Sequence, residues 1–297
     1  MIIISAGAGL GNQMFEYAFY LAMKDRYPNT KVCIDPDYAF VSAHNGYEVE
    51  EIFGLRSDRA GIKDIDRIGD VAYLANAESY GSLFSKLRRK LKLKKASFLM
   101  QKDFTEFYPE YLDLDSGKSW YLFGPFANYK YFDDIKEIVT QAFIFPEIDE
   151  KNRQKAELIM NSTSVSVHVR RGDYVEQGVK TLDREFYDAA VNLICRETGK
   201  CEEEITLFVF SDDGDYVKRL FDDKKKVVFV GGNTGKNSFR DMQLMSLCQH
   251  NIIADSTFSF WGAYLNRNPD KIVIGPDRPF KGFKNPFSCD DWIRLKV

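Results

Sequence analysis

The sequence predicts an α/β protein of two domains, each a parallel sheet covered by helices. Three observations carry this. In the second half, short apolar strands alternate with helices, the pattern of a doubly wound parallel sheet. The chain opens on a strand, a glycine-rich turn and a helix, the first unit of a nucleotide-binding arrangement. Polar clusters follow the predicted strands, at the carboxyl ends where such sheets bind ligands. The 297 residues suffice for two domains of ordinary size. Pro146 to Asp149 marks the boundary, giving domains 1–148 and 149–297.

Met1 to Ser5 reads as a buried strand, followed by Gly7-Ala8-Gly9-Leu10-Gly11-Asn12-Gln13 and a helix from Met14 to Arg26. Phe15, Ala18, Phe19 and Ala22 recur at helical spacing on its inner face. Free amides at such a helix start can hold a phosphate. A dinucleotide fingerprint would also have glycines here and an acid about 20 residues on. Asp35, closing the strand Lys31 to Asp35, stands near that place, but Asn12 replaces the last fingerprint glycine. Asp35-Pro36-Asp37 has the spacing of a metal-holding acid pair, yet Asp64-Ile65-Asp66 and Asp113-Leu114-Asp115 show how often the pattern recurs, so no metal site is expected. From Tyr38 to Phe145 the pattern is irregular. Within it Lys86 to Lys95 is strongly basic, with Leu83, Leu87 and Leu91 along one face. That reads as a solvated helix face or as a contact with anionic lipid. Trp120 to Phe126 reads as a strand, and Ile135 to Phe143 as a helix.

The second half centres on Val165-Ser166-Val167-His168-Val169-Arg170-Arg171-Gly172-Asp173-Tyr174. Three valines alternate with polar residues, which marks a strand. It delivers His168 and Arg170 to one face at its carboxyl end, with Arg171 and Asp173 just beyond. Arginine offers a permanent charge and planar, paired donors suited to phosphate, so this is the expected anion site. The Arg-Gly-Asp tripeptide abuts a core strand and is not read as an adhesion motif. Further predicted elements are the helix Glu185 to Cys195, strand Ile205 to Phe210, a helix through Phe221, strand Val227 to Val230, helix Phe239 to Cys248, strand Asn251 to Ala254, helix Phe260 to Leu265 and strand Lys271 to Ile274. Ser211-Asp212-Asp213 follows one strand and reads as a capped turn or as acceptors for a ribose or base edge. Ser256-Thr257-Phe258-Ser259 opens a helix, as an N-cap or a phosphate cradle. His250 reads as structural, and His44 has no neighbours that recommend it.

Composition narrows the function. A net charge of -3 gives no general attraction to nucleic acid. Five scattered cysteines without a Cys-x-x-Cys pair read as free thiols in a reducing compartment. No window has the length of a membrane span, and Met1-Ile2-Ile3-Ile4 is too short for a signal peptide, so the expected place is cytoplasmic, peripheral at most. Phosphate-loop, zinc-protease and serine-elbow motifs are missing.

Three blocks resemble the α-1,2-fucosyltransferases of glycosyltransferase family 11, particularly the bacterial members. They are Gly9-Leu10-Gly11-Asn12-Gln13-Met14-Phe15, His168-Val169-Arg170-Arg171-Gly172-Asp173-Tyr174, and Asp241 to Ser246 through Ser256 to Ala263. The resemblance implies a GT-B-like fold with two Rossmann-type domains facing a cleft, the first on the acceptor side and the second on the donor side. It implies L-fucose transfer from GDP-fucose, without cofactor or metal, to the 2-hydroxyl of a terminal β-galactoside. Arg170 would meet the pyrophosphate, with His168 and Asp173 beside it and Asp173, then Glu176, as candidate base. Gly11 and Asn12, Arg171, Ser211 and Asp212, and Ser256, Thr257 and Ser259 would bind the donor. Two positions depart from the family pattern: Asp255 stands where Asn is frequent, and Phe260 where Trp is frequent. A carboxylate would repel a pyrophosphate, so Asp255 is expected to point elsewhere. The alternatives are an NAD(P)-dependent nucleotide-sugar oxidoreductase built on the first glycine turn, and a non-catalytic carbohydrate- or nucleotide-binding module.

Overall fold

A computed structural model describes residues 1–37, 45–70, 87, 91, 95–176, 178–279 and 287–297. The chain divides into two compact units, Met1–Ile144 and Phe145–Val297. The second begins slightly before the expected boundary. The Pro146 and Glu147 carbonyls accept hydrogen bonds from Gln243 Nε2 and Arg240 Nη1, at 2.6 and 2.7 Å, which ties them to the second unit.

The first unit runs β1 (Ile2–Ser5), α1 (Leu10–Arg26), β2 (Val32–Asp35), α2 (Val49–Phe53), α3 (Ile62–Ile68), β3 (Phe98–Met100), β4 (Trp120–Phe123) and α4 (Lys136–Ala142). Its four parallel strands lie in the order β2-β1-β4-β3. Strand β1 is buried along its length, as its all-apolar start requires. Helix α1 starts at Leu10, a turn earlier than its apolar spacing suggests, with extended Gly9 as its cap. Met14, Phe15, Ala18 and Phe19 are wholly buried along it. Phe19 stacks on Phe126 at 4.1 Å between centroids.

The second unit runs α5 (Glu150–Met160), β5 (Thr163–Val169), α6 (Gly172–Glu176), α7 (Arg184–Thr198), β6 (Ile205–Ser211), α8 (Gly214–Leu220), β7 (Val227–Val230), α9 (Phe239–Leu247), β8 (His250–Ile252), α10 (Thr257–Tyr264), β9 (Val273–Asp277) and β10 (Ile293–Lys296). Six parallel strands take the order β10-β9-β8-β5-β6-β7. Alternation along the strands gives each face its own core. Val165, Val167 and Val169 join Leu207, Val209, Phe186, Ala190 and Ile194 on one side. Phe208 and Phe210 meet Ala156, Ile159, Leu244 and Met245 on the other. The expected α/β, parallel-sheet architecture is therefore observed.

Candidate functional site

In the second unit the chain runs from β5 through β6 to β7, then returns to build β8, β9 and β10 on the other side of β5. The strand order reverses between β5 and β8, and the carboxyl ends there form the crevice in which such sheets bind ligands.

Arg170 and Arg171 leave β5 at that point. Arg170 Nη1 lies 2.7 Å from Asp212 Oδ2, and its guanidinium carbon is 5.4 Å from the Tyr174 ring centroid. Arg171 Nε is 3.1 Å from Asp213 Oδ2, and its guanidinium covers the Tyr216 ring at 3.6 Å. Asp212 Oδ1 also accepts from the amides of Arg171 and Gly172, at 2.9 and 3.1 Å. One carboxylate thus fixes the first turn of α6 and the guanidinium that precedes it. Ser211 Oγ accepts from the Asp213 amide at 3.0 Å, and Asp213 caps α8 by accepting from the Tyr216 amide at 3.0 Å. The structure therefore uses Ser211 and Asp212 as a capped turn that orients arginines, and their acceptors are engaged within the protein. The side chain of Asp173 and residue His44 lie outside the described residues; Glu176 is exposed at the end of α6.

His168 faces the other core, its ring centroid 6.0 Å from Phe258 at the start of α10. It is 6% exposed, and Nδ1 has no hydrogen-bond partner among the described residues. Burial first, then the Arg170 charge, pushes its pKa down to about 4. At neutral pH His168 is an uncharged imidazole that can donate or accept a hydrogen bond. Ser256 caps α10, its Oγ accepting from the Phe258 amide at 3.3 Å. Thr257 is half-exposed at the first helical position. Ser259 is 1% exposed and bonds to the Ala254 and Ser256 backbone, so it supports the turn from inside. Asp255 does point away, into a buried pair with Arg278. Sequence reasoning did not find Arg278. Its signal was a basic residue just past a predicted strand end.

Gly11 and Asn12 belong to the first unit, in the first turn of α1. Asn12 is half-exposed between buried neighbours. The glycine turn before them is braced by α1 itself. The Gly7 amide donates to Glu16 Oε2 at 2.7 Å, and Gln13 Nε2 donates to the Ala8 and Gly46 carbonyls at 2.8 and 2.7 Å. Ala8, with φ 58°, is held in the left-handed region. Asp35, the ribose-binding acid of a dinucleotide site, is 1% exposed and accepts from Tyr121 Oη at 2.6 Å. A buried carboxyl on the Gly7 amide and a capped Asp35 leave this turn ill suited to a dinucleotide.

A family model for glycosyl transferase family 11 matches residues 83–295. The chain belongs to that family. An Escherichia coli O-antigen biosynthesis glycosyltransferase, WbnK, is 28% identical over 97% of this chain and 98% of its own. An Escherichia coli α-1,2-colitosyltransferase is 28% identical over 100% of this chain and 99% of its own. Human galactoside α-(1,2)-fucosyltransferase 1 is 25% identical over 58% of this chain and 51% of its own. Among solved structures, a mutant of Arabidopsis thaliana FUT1 in complex with GDP aligns at TM-score 0.50 with 11% identity, covering 95% of this family 11 chain and 71% of that one. That likeness concerns the fold, which is GT-B-like. Family membership makes the chain a glycosyltransferase, with α-1,2-fucosyl- and α-1,2-colitosyltransferases among its relatives, and displaces the oxidoreductase alternative. Among the described residues, no helix is long and apolar enough to cross a membrane.

Proposed function

We propose that this family 11 enzyme moves L-fucose from GDP-fucose to the 2-hydroxyl of a terminal β-galactoside in O-antigen, capsule or oligosaccharide synthesis, with inversion and without a metal. The second unit takes the donor and the first the acceptor side, with Gly11 and Asn12 at the α1 turn reaching the donor from the first unit. The observation that carries the reading is Arg170, fixed by Asp212 at the β5 switch point of a family 11 chain. Departure of fucose leaves growing negative charge on the diphosphate. A fixed guanidinium stabilises that charge more in the transition state than in the ground state. Thr257 and the opening amides of α10 add a partial positive field. Neutral His168 contributes a hydrogen bond, and Asp173 is the candidate to take the acceptor proton. A second reading, a colitosyl donor, is favoured by the full-length similarity to the α-1,2-colitosyltransferase.

The test is GDP release from GDP-fucose in EDTA, with and without lactose, beside a colitosyl donor. Acceptor-stimulated release from GDP-fucose is expected. Release from the colitosyl donor alone would move the reading to that sugar. GDP-fucose binding without transfer to any of a broad set of galactosides would point to a non-catalytic module.

A further inference from the structure

Asp255 immediately precedes the Ser256 cap of α10, where a bare carboxylate would oppose any anion drawn to that helix start. Arg278 answers it. Its Nε and Nη2 both donate to Asp255 Oδ2, at 2.9 and 2.6 Å, and Nη2 also donates to the Lys180 carbonyl at 2.8 Å. The Asp255 side chain is 2% exposed and that of Arg278 12%. The Asp255 carbonyl accepts from Tyr174 Oη at 2.7 Å. Tyr174 in turn lies under the Arg170 guanidinium. Two connections therefore run from one ion pair to the segment after the arginines, one through Lys180 and one through Tyr174.

A buried ion pair is a poor source of net stability, because desolvating two charges offsets most of their attraction. What it supplies well is a fixed geometry with few alternatives. We infer that Asp255 and Arg278 are positioning residues for the transfer reaction: they hold Tyr174 and Lys180 against the end of β8, and so fix the aromatic face that supports Arg170. This rests on the transferase reading above.

The test uses the full chain as Arg278→Met, Asp255→Asn and the double variant. Two quantities are read: amide hydrogen exchange across residues 172–182, and kcat and donor KM with GDP-fucose and lactose. In Arg278→Met the lone buried carboxylate loosens the segment. Exchange there rises by roughly tenfold or more, with the rest of the unit unmoved. The value of kcat falls by about tenfold, and KM changes less, because Arg170 acts chiefly on the transition state. Asp255→Asn alone, whose amide oxygen can still accept from Arg278, shifts both readings less than Arg278→Met, and the double variant, freed of the lone charge, returns toward that smaller shift. Exchange that rises evenly through the second unit, or a double variant no better than Arg278→Met, overturns the inference. If Arg278→Met does not fold, Arg278→Lys keeps the charge but cannot serve both Asp255 and Lys180. The same local exchange signature is then expected at lower amplitude, and its absence counts against the pair. The expected exchange pattern in the variants, beside a wild-type protein that transfers no fucose, would sink the fucosyl-transfer reading and leave the pair's hold on Tyr174 and Lys180 standing.

Discussion

Arg170→Ala is expected to lower kcat by about 10²–10³, the loss seen when one fixed donor to a developing negative charge is removed. Arg170→Lys should recover little, since an ammonium cannot reach Asp212 and a phosphate with the same planar fork. Steady-state rates with GDP-fucose decide both, and near-normal turnover in Arg170→Ala would remove Arg170 from the leaving-group role. His168 makes a pH prediction of definite sign. Its pKa is about 4 in the folded chain, against an ordinary 6.5. Between these values the unfolded chain binds a proton that the folded one refuses, so stability falls as pH drops from 6.5 to 4. The full effect is on the order of 3 kcal/mol at the acid end. His168→Gln should flatten that part of the stability curve in denaturant titrations, and an unchanged slope would mean that His168 is charged when folded. The arginines and the histidine were legible because a period of two and a glycine turn place them at a strand end. The use of Asp212 was not, because Arg171 and Asp212 meet 41 residues apart in sequence. Nor was Arg278, whose partner lies 23 residues away, past the end of a different strand.

Among the elements, α6 and α10 depend on glycines for close approach. A Cβ at Gly172 would stand 2.7 Å from Asp212 Oδ2, in a carboxylate that Arg170 holds through Oδ2 and two amides through Oδ1. Gly172→Ala should therefore shift the guanidinium and cost about 10²-fold in kcat/KM, with a small change in melting temperature. A Cβ at Gly262 would meet Met245 Cβ at 2.8 Å, where α10 packs on α9. Gly262→Ala should destabilise the fold by about 1–3 kcal/mol through overpacking, read from the denaturant midpoint. On α9, burial pushes the Asp241 carboxyl up to about 6, against the Asn233 hydrogen bond that favours its charge. From pH 3.8 to 6 the folded chain holds the extra proton, so this group loses stability as pH rises. Asp241→Asn should raise stability at pH 7 and change it little at pH 4. The strongly periodic elements, such as α7 and β6, were readable from side-chain spacing alone. Helix α5 was missed because only Asn152, Ala156 and Ile159 are buried along it, too narrow a stripe among charged residues to show as a pattern. The early start of α1 was missed because the glycine turn is set by side chains reaching back from Gln13 and Glu16.

At the scale of the whole molecule, alternating strands and helices made the sheet of the second unit legible, and the first unit was harder because its strands are short and far apart in sequence. The basic run Lys86 to Lys95 belongs to that harder half, and most of it lies outside the described residues. Three of its residues are described, and they divide its roles. Lys95 is not a surface charge, since its ammonium donates to the carbonyls of Asp66 and Gly69 at the end of α3. Leu87 and Leu91 are 53% and 58% exposed, and the Leu91 amide donates to the Leu87 carbonyl at 3.0 Å. Leu87 and Leu91 thus face solvent, and in the sequence they stand among Lys86, Arg88, Arg89, Lys90, Lys92 and Lys94. Each basic residue near an anionic bilayer contributes about 1 kcal/mol, and the attraction fades within a Debye length. The chain as a whole is acidic, at net -3, so any attraction must come from this run. We expect co-sedimentation with phosphatidylglycerol vesicles at low salt and little with phosphatidylcholine. Binding should weaken as salt is raised, and replacing Leu87 and Leu91 by serine should lower it further. Equal binding to both lipids would take the basic charges out of the contact, and none to either would leave the run as a solvated face.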